Sequence, residues 1–240
     1  MSLPGYDETL TRFCLGKLKA GVDLQLTKSG DIALTRDGDL QAGNTQINAL
    51  FRLVERWRQS ESTVSDLFAP MLRASQQLEE LSKTRALDKG PSLSMNPKDY
   101  HDVTESILEY QSVSSVLAGS ILLVLNNLLQ RLKKDLNASD DEWKLAGTKI
   151  NNNSIGVIFT AAAANFRHHD EWACAKRPNT QQLQSMEVLC KGLNLPVLTH
   201  GFPTIRTNVC GQILMSLSHG SVDHLHQITF EYAKALSKYQ

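Results

Sequence analysis

The sequence predicts a mainly α-helical bundle with a small N-terminal β-hairpin. Three observations carry this. Apolar residues recur every three or four positions over most of the chain from Asn44 onward. One stretch, Asp99 to Leu136, keeps that period for ten turns without a proline. Near the N-terminus, by contrast, the period shortens to two around a pair of glycine turn dipeptides.

Taken in order, Asp7 to Ala20 predicts a first helix, with Leu10, Phe13, Cys14 and Leu18 on one face, Asp7 as cap and Gly21 as stop. Leu26 to Ala33 is repeated in kind by Leu34 to Gln41. Ser29-Gly30 and Asp37-Gly38 are turn dipeptides, because glycine accepts the positive φ of a tight hairpin turn, and Leu24, Leu26, Ile32, Leu34 and Leu40 alternate. Two or three short antiparallel strands are expected there. Ile47, Leu50, Phe51, Val54 and Trp57 form a helical stripe, and a second helix is expected from a cap near Ser62, broken or kinked by Pro70 near Ala69.

The segment Asp88 to Pro97 holds two prolines and a glycine and reads as a linker. It predicts an N-terminal part, residues 1–87, and a helical bundle, residues 98–240, which can also pack as one continuous domain. Beyond it, Val103, Ile107, Tyr110, Val113, Leu117, Ile121, Val124, Leu125, Leu128 and Leu132 predict one long helix. Ser139 and Glu142 have capping-box spacing at the start of a short helix. Ser154 to Phe166, rich in alanine, predicts a tightly packed central helix. Asn179-Thr180 caps a helix to Lys191, and two last helices are expected over Thr207 to Leu217 and Ser221 to Lys238. The total is roughly 60% helix, above the third typical of globular chains.

Of 240 residues, 25 are basic and 25 acidic, and 41% are hydrophobic. A balanced charge argues against a constitutive nucleic-acid binder and leaves room for a local basic patch. No basic stretch followed by an apolar run opens the sequence, so no secretory signal is expected, and the location expected is cytoplasmic. Val116 to Leu132 is apolar but interrupted by six polar or small residues, which predicts a buried helix and not a membrane span. The four cysteines, Cys14, Cys174, Cys190 and Cys210, contain no CxxC pair and are expected to be reduced core thiols.

The segment richest in chemistry is Asn165 to Trp172. Arg167, His168, His169, Asp170 and Glu171 stand side by side at the end of an apolar helix. Histidine titrates near neutrality and can act as acid or base. Arginine can hold a phosphate or stabilise a developing oxyanion. Together they could support metal-independent RNA cleavage, with Arg167, His168, His169 and Glu171 as catalytic candidates and Asn165, Asp170 and Trp172 as binding candidates. The plainer reading is cations suited to a helix C-terminus, carboxylates paired at a surface turn, and Trp172 as a packing anchor.

Neither metal nor cofactor is expected. Consecutive ligands point around a helix, whereas helical ligand pairs stand three or four apart, and His224 and His226 diverge in the same way. Phosphate-loop, dinucleotide, zinc-protease and nucleophile-elbow motifs are missing from the sequence. Cys174 and Cys190 are more simply core thiols than nucleophiles. His219, His224 and His226 read as partners of core polar groups. Arg52, Arg56 and Arg58 around Trp57 make either a basic-aromatic patch suited to RNA or a solvated face shared with Glu55.

The run from Ala163 to Trp172, followed by the helix Gln181 to Leu193, resembles a segment of uncharacterised bacterial helical proteins. It is also similar to the HEPN superfamily of helical domains, frequent in toxin–antitoxin and phage-defence systems. That resemblance covers at most Asp99 to Gln240. It implies a dimeric, metal-independent ribonuclease or an inactive relative that binds a partner. HEPN nucleases carry a histidine four to six residues after an arginine, and here His168 and His169 follow Arg167 directly. The carry-over is therefore confined to Asn165, Arg167 and His168. The expected function is action on RNA or its regulation, as a homodimer. The alternatives are a non-enzymatic interaction subunit, such as a defence-system component or immunity-type protein, and a phage-derived structural protein. The last rests on Leu26 to Gln41, which is similar to the "GDLAL" strand pattern of phage baseplate proteins.

Overall fold

The computed structural model describes residues 6–12, 27–31, 33, 34, 36, 38, 46–87, 97–175, 178–199 and 202–237. Helices dominate them. In chain order they are α1 (Tyr6–Arg12), α2 (Gln46–Leu87), α3 (Pro97–Leu136), α4 (Asp140–Leu145), α5 (Ile155–Cys174), α6 (Thr180–Gly192), α7 (Cys210–Ser218) and α8 (Val222–Ser237). Two antiparallel two-stranded pairs interrupt them: β1 (Lys149–Ile150) with β2 (Asn153–Ser154), and β3 (Leu198–Thr199) with β4 (Phe202–Pro203).

The β-structure is not where the sequence places it. At the N-terminal repeat, the Thr27 amide donates to the Asp31 carbonyl over 2.7 Å, and the Gly30 amide donates back to Thr27 over 3.0 Å. Gly30 and Gly38 both adopt φ +84°, so the turn chemistry is as expected. No strand pair flanks these turns among the described residues, and Leu34, meant for a buried face, is exposed. Leu24, Leu26, Ile32 and Leu40 lie outside the described residues, as do 13–20 of the first expected helix. The hairpin at Lys149–Ser154 turns through Asn151 and Asn152, at φ 48° and 67°. Consecutive positive φ values favour asparagine or glycine, so the Asn151-Asn152 pair was its sequence signal.

Helix α2 corrects a second expectation. No new helix begins at Ser62, and Pro70 lies inside a continuous 42-residue helix. A mid-helix proline costs roughly 3 kcal/mol. Val64, Phe68, Met71 and Ala74 are buried on both sides of it. Each large apolar side chain contributes about 1.5–3 kcal/mol on full burial, so packing outweighs the defect. The long helix over Asp99 to Leu136 is found as α3, begun two residues earlier by Pro97, a residue suited to a first helical position. The Ser139–Glu142 and Asn179–Gln182 capping boxes are both formed. Residues Lys98–Leu136 are long and apolar enough to cross a membrane by length and composition, and 56% of the most apolar window is buried within the fold.

The chain packs as two compact units, each taking residues from both sides of the 88–96 segment. The first comprises residues 1–62, 124–159 and 222–240, the second residues 63–123 and 160–221. In the first, Leu53, Val54 and Trp57 of α2, Leu125, Leu129 and Leu132 of α3, and Phe230, Tyr232 and Leu236 of α8 supply the core. Trp143 meets the Tyr232 ring edge-on at 5.4 Å, and the Tyr232 hydroxyl donates to the Trp143 carbonyl at 2.8 Å. A Cβ at Gly156 would collide with both rings, so only glycine fits there. Arg12 pairs with Asp223 at 2.5 Å, fixing α1 to α8.

In the second unit, Ala161, Ala162 and Ala163 of α5 are buried, as are Met186, Leu189 and Cys190 of α6 and Ile213, Leu214 and Leu217 of α7. Gly119 of α3 lies so close to Phe166 of α5 that a side chain there would clash with the ring. The missing side chain at Gly119 thus lets α3 approach the Phe166 ring, one residue before the polar run of α5.

Candidate functional site

Helix α5 does not stop at Phe166 but runs on through the polar cluster to Cys174. Successive residues are therefore turned by about 100° from one another, and the cluster divides between two faces. Arg167, His168 and Glu171 line a groove of about 510 Å³ whose opposite wall is Gln181, Gln184 and Ser185 of α6. His169 and Asp170 line another groove, of about 370 Å³, with Leu108 and Val116 of α3 and the 206–208 segment.

In the α6-side groove, Nδ1 of His168 lies 3.1 Å from the Glu171 carboxylate, one turn further along the helix. A neutral imidazole donating Nδ1–H to that carboxylate keeps Nε2 as a proton acceptor. The Nε–H of Arg167 donates to the Ala163 carbonyl at 3.1 Å, which fastens the side chain to its own helix. The guanidinium forms no ion pair among the described residues. Asn179, at the N-terminus of α6, also lines this groove, and the first turn of α6 carries no acidic residue. The positive end of a helix dipole favours an anion. Trp172, 3% exposed, forms part of the wall and is mainly a core residue.

The remaining candidates have other work. Asn165 is fully buried: its Nδ2 donates to the Thr207 carbonyl at 3.1 Å, and its Oδ1 accepts from the Val209 amide at 3.0 Å. It anchors the loop before α7, and that loop occupies the residues expected as the first turn of a helix from Thr207. His169 Nδ1 lies 3.3 Å from the Phe166 carbonyl, and its Nε2 lies 3.4 Å from Asp170.

Among the other sequence candidates, Trp57 is buried, edge-on to Phe230 at 5.9 Å, and cannot stack on a base. Arg52 and Arg56 share Asp135, at 3.2 and 2.6 Å. The Arg52–Arg58 run is thus split between the interior and the surface and forms no single nucleic-acid face. Cys190 and Cys210 are buried, and burial pushes the Cys210 thiol up to about 12, away from the thiolate a nucleophile needs. His226 is buried against Trp57 and Phe230, with Nε2 3.3 Å from the Thr9 hydroxyl, and burial lowers its pKa to about 4.

A further group lies on α3. His101, Asp102 and Glu105 of α3 bring ligand atoms within 4.8 Å of one another, and among the described residues they alone converge in a way that could hold a metal. The i, i+4 spacing of His101 and Glu105 was the available signal. All three are exposed.

Fold and groove together define a mainly helical protein whose polar groove lies between two helices. Comparison with protein-family models, curated proteins and solved structures returned no match.

Proposed function

We propose that the α5–α6 groove binds an RNA phosphodiester, and that the protein is a HEPN-like helical protein that cleaves RNA without a metal. The setting suited to that activity is toxin–antitoxin or phage defence, and the working form is a homodimer. The observation carrying this reading is the His168–Glu171 pair at 3.1 Å beside Arg167 in one groove.

The chemistry assigns a role to each. Nε2 of His168 takes the proton from a ribose 2′-hydroxyl, and the 2′-oxygen attacks phosphorus. The bond to the 5′-oxygen breaks, leaving a 2′,3′-cyclic phosphate, and the leaving oxygen takes a proton from the histidinium or from water. Arg167 holds the non-bridging oxygens as their charge grows. Glu171 fixes the imidazole tautomer and stabilises the imidazolium.

The test is cleavage of labelled total RNA, with and without EDTA, by the wild type and by the Arg167→Ala/His168→Ala double variant. EDTA-resistant cleavage that yields cyclic-phosphate ends and vanishes in the variant is expected. Cleavage unchanged in the variant refutes the site.

A second reading, a non-enzymatic interaction subunit, is favoured by one observation: Leu108, Val113 and Val116 leave an aliphatic strip of α3 exposed. A wild type inactive on RNA that co-purifies with one defined partner would establish this reading instead.

A further inference from the structure

We propose a separate site, in the unit formed by residues 1–62, 124–159 and 222–240, for the phosphate monoester of a small polyol such as a sugar phosphate. It is the pocket of about 360 Å³ between α2 and α3. Small-molecule sites begin at roughly 300 Å³, so it holds more than a bare phosphate and less than a large cofactor.

Its lining is selective. Arg56 and Arg131 supply two guanidiniums, Gln59 and Asn127 supply two carboxamides, and Ser60 adds a hydroxyl. No carboxylate and no aromatic ring belongs to the lining. The charge of Arg56 is shared with Asp135, so the positive charge offered to a ligand comes from Arg131, and with no carboxylate in the lining the pocket favours an oxyanion such as a phosphate. The carboxamides can donate to and accept from hydroxyl groups, as a polyol requires. Without an aromatic ring there is nothing on which a nucleobase would stack.

The pocket is also built in advance. Arg56 is 6% exposed, and its Nη1 donates to Asp135 at 2.6 Å, so the ligand has little side-chain freedom to quench. Arg131, in contrast, is exposed, and no ion pair engages it among the described residues. Gln59 and Asn127 make no hydrogen bond through their carboxamides among those residues. Three polar groups at the rim are thus available to a ligand.

The experiment is calorimetric titration of the full chain with ribose 5-phosphate, inorganic phosphate and ribose, each at concentrations up to millimolar. Ribose 5-phosphate is expected to bind, inorganic phosphate to bind more weakly, and ribose not at all. Arg131→Gln should weaken both phosphates by roughly tenfold or more, the loss of a charge-assisted hydrogen bond. Asn127→Leu should weaken ribose 5-phosphate and spare inorganic phosphate. Both side chains are exposed, and unchanged circular dichroism verifies that the variants fold.

No binding of either phosphate overturns the proposal, as does full binding by Arg131→Gln. Equal affinity for inorganic and ribose phosphate overturns the polyol half. Arg167→Ala should leave the titration unchanged. Loss of binding in that variant would assign the ligand to the α5–α6 groove and overturn the separate site.

Discussion

His226 on α8 and His168 on α5 carry the same side chain in opposite settings. His226 is enclosed by Trp57 and Phe230 and hydrogen-bonded with Thr9, and burial holds it neutral well below the usual histidine range. His168 is about half exposed, in a groove, with a carboxylate on one ring nitrogen and an arginine beside it. The first has given up its proton chemistry to packing. The second keeps both solvent access and an orienting partner. What separates a structural histidine from a candidate base here is therefore the surroundings of the ring nitrogens, and neither residue type nor helical position reports that.

The contrast can be broken at either end. The largest effect expected is on catalysis. His168→Ala should lower the rate of RNA cleavage by about 10²–10⁴-fold, the usual worth of a positioned acid or base, while the thermal midpoint stays close to wild type. A comparable loss of activity in His226→Leu at neutral pH, with the fold intact, would erase the distinction.

Next comes stability against pH. The folded pKa of His226 is about 4 against 6.5 for a free histidine. Between those values the unfolded chain binds a proton that the folded chain refuses, so stability is full above pH 6.5 and falls as pH drops towards 4. The loss amounts to about 3 kcal/mol, at 1.36 kcal/mol per unit. Asp223, held low by its hydrogen bonds from Arg12, acts below that window. Urea midpoints at pH 7, 5.5 and 4.5 measure the slope, and His226→Leu should flatten it.

Smaller again is Asn165→Ala. It strips the Val209 amide and the Thr207 carbonyl of their partner, which should cost about 2–3 kcal/mol in denaturant unfolding. A near-neutral result would show that the loop before α7 is held by other contacts. The smallest effect sharpens the division of α5 into two faces. His169→Ala should change RNA cleavage by less than about threefold, since a substitution that removes no transition-state contact leaves the barrier almost unchanged. A loss as large as that of His168→Ala would mean that both faces of α5 serve the reaction.

Much of the helical framework was legible in the residues. The capping box at Ser139 and the helix cap at Asn179 are both formed as expected, and Gln182 completes the latter into a box, because a cap needs only groups three residues apart. The extent of α3 follows from its unbroken apolar period. The course of α2 past Ser62 and Pro70 was not legible, because the penalty of a proline is local and its compensation is burial against distant segments. The Asn151-Asn152 turn carries its own local signal, and the glycines at 30 and 38 take the positive φ their turns require, whereas no strand flanks those glycine turns among the described residues.

The candidate site divides along the same line. Sequence alone determined which residues bring chemistry, from Asn165 to Trp172, and that an apolar, small-residue helix delivers them. It also determined the i, i+3 offset that lets His168 reach Glu171 on one helical face. Only the tertiary structure decided which of those neighbours share a groove and which stand apart. It buried Asn165 beneath the α7 loop, put α6 opposite Arg167 and His168, and set Leu108 and Val116 of α3 beside His169. The physical reason is range: caps and helical offsets are set by covalent neighbours within a turn or two, while exposure and groove membership depend on side chains tens of residues away, which packing alone brings together.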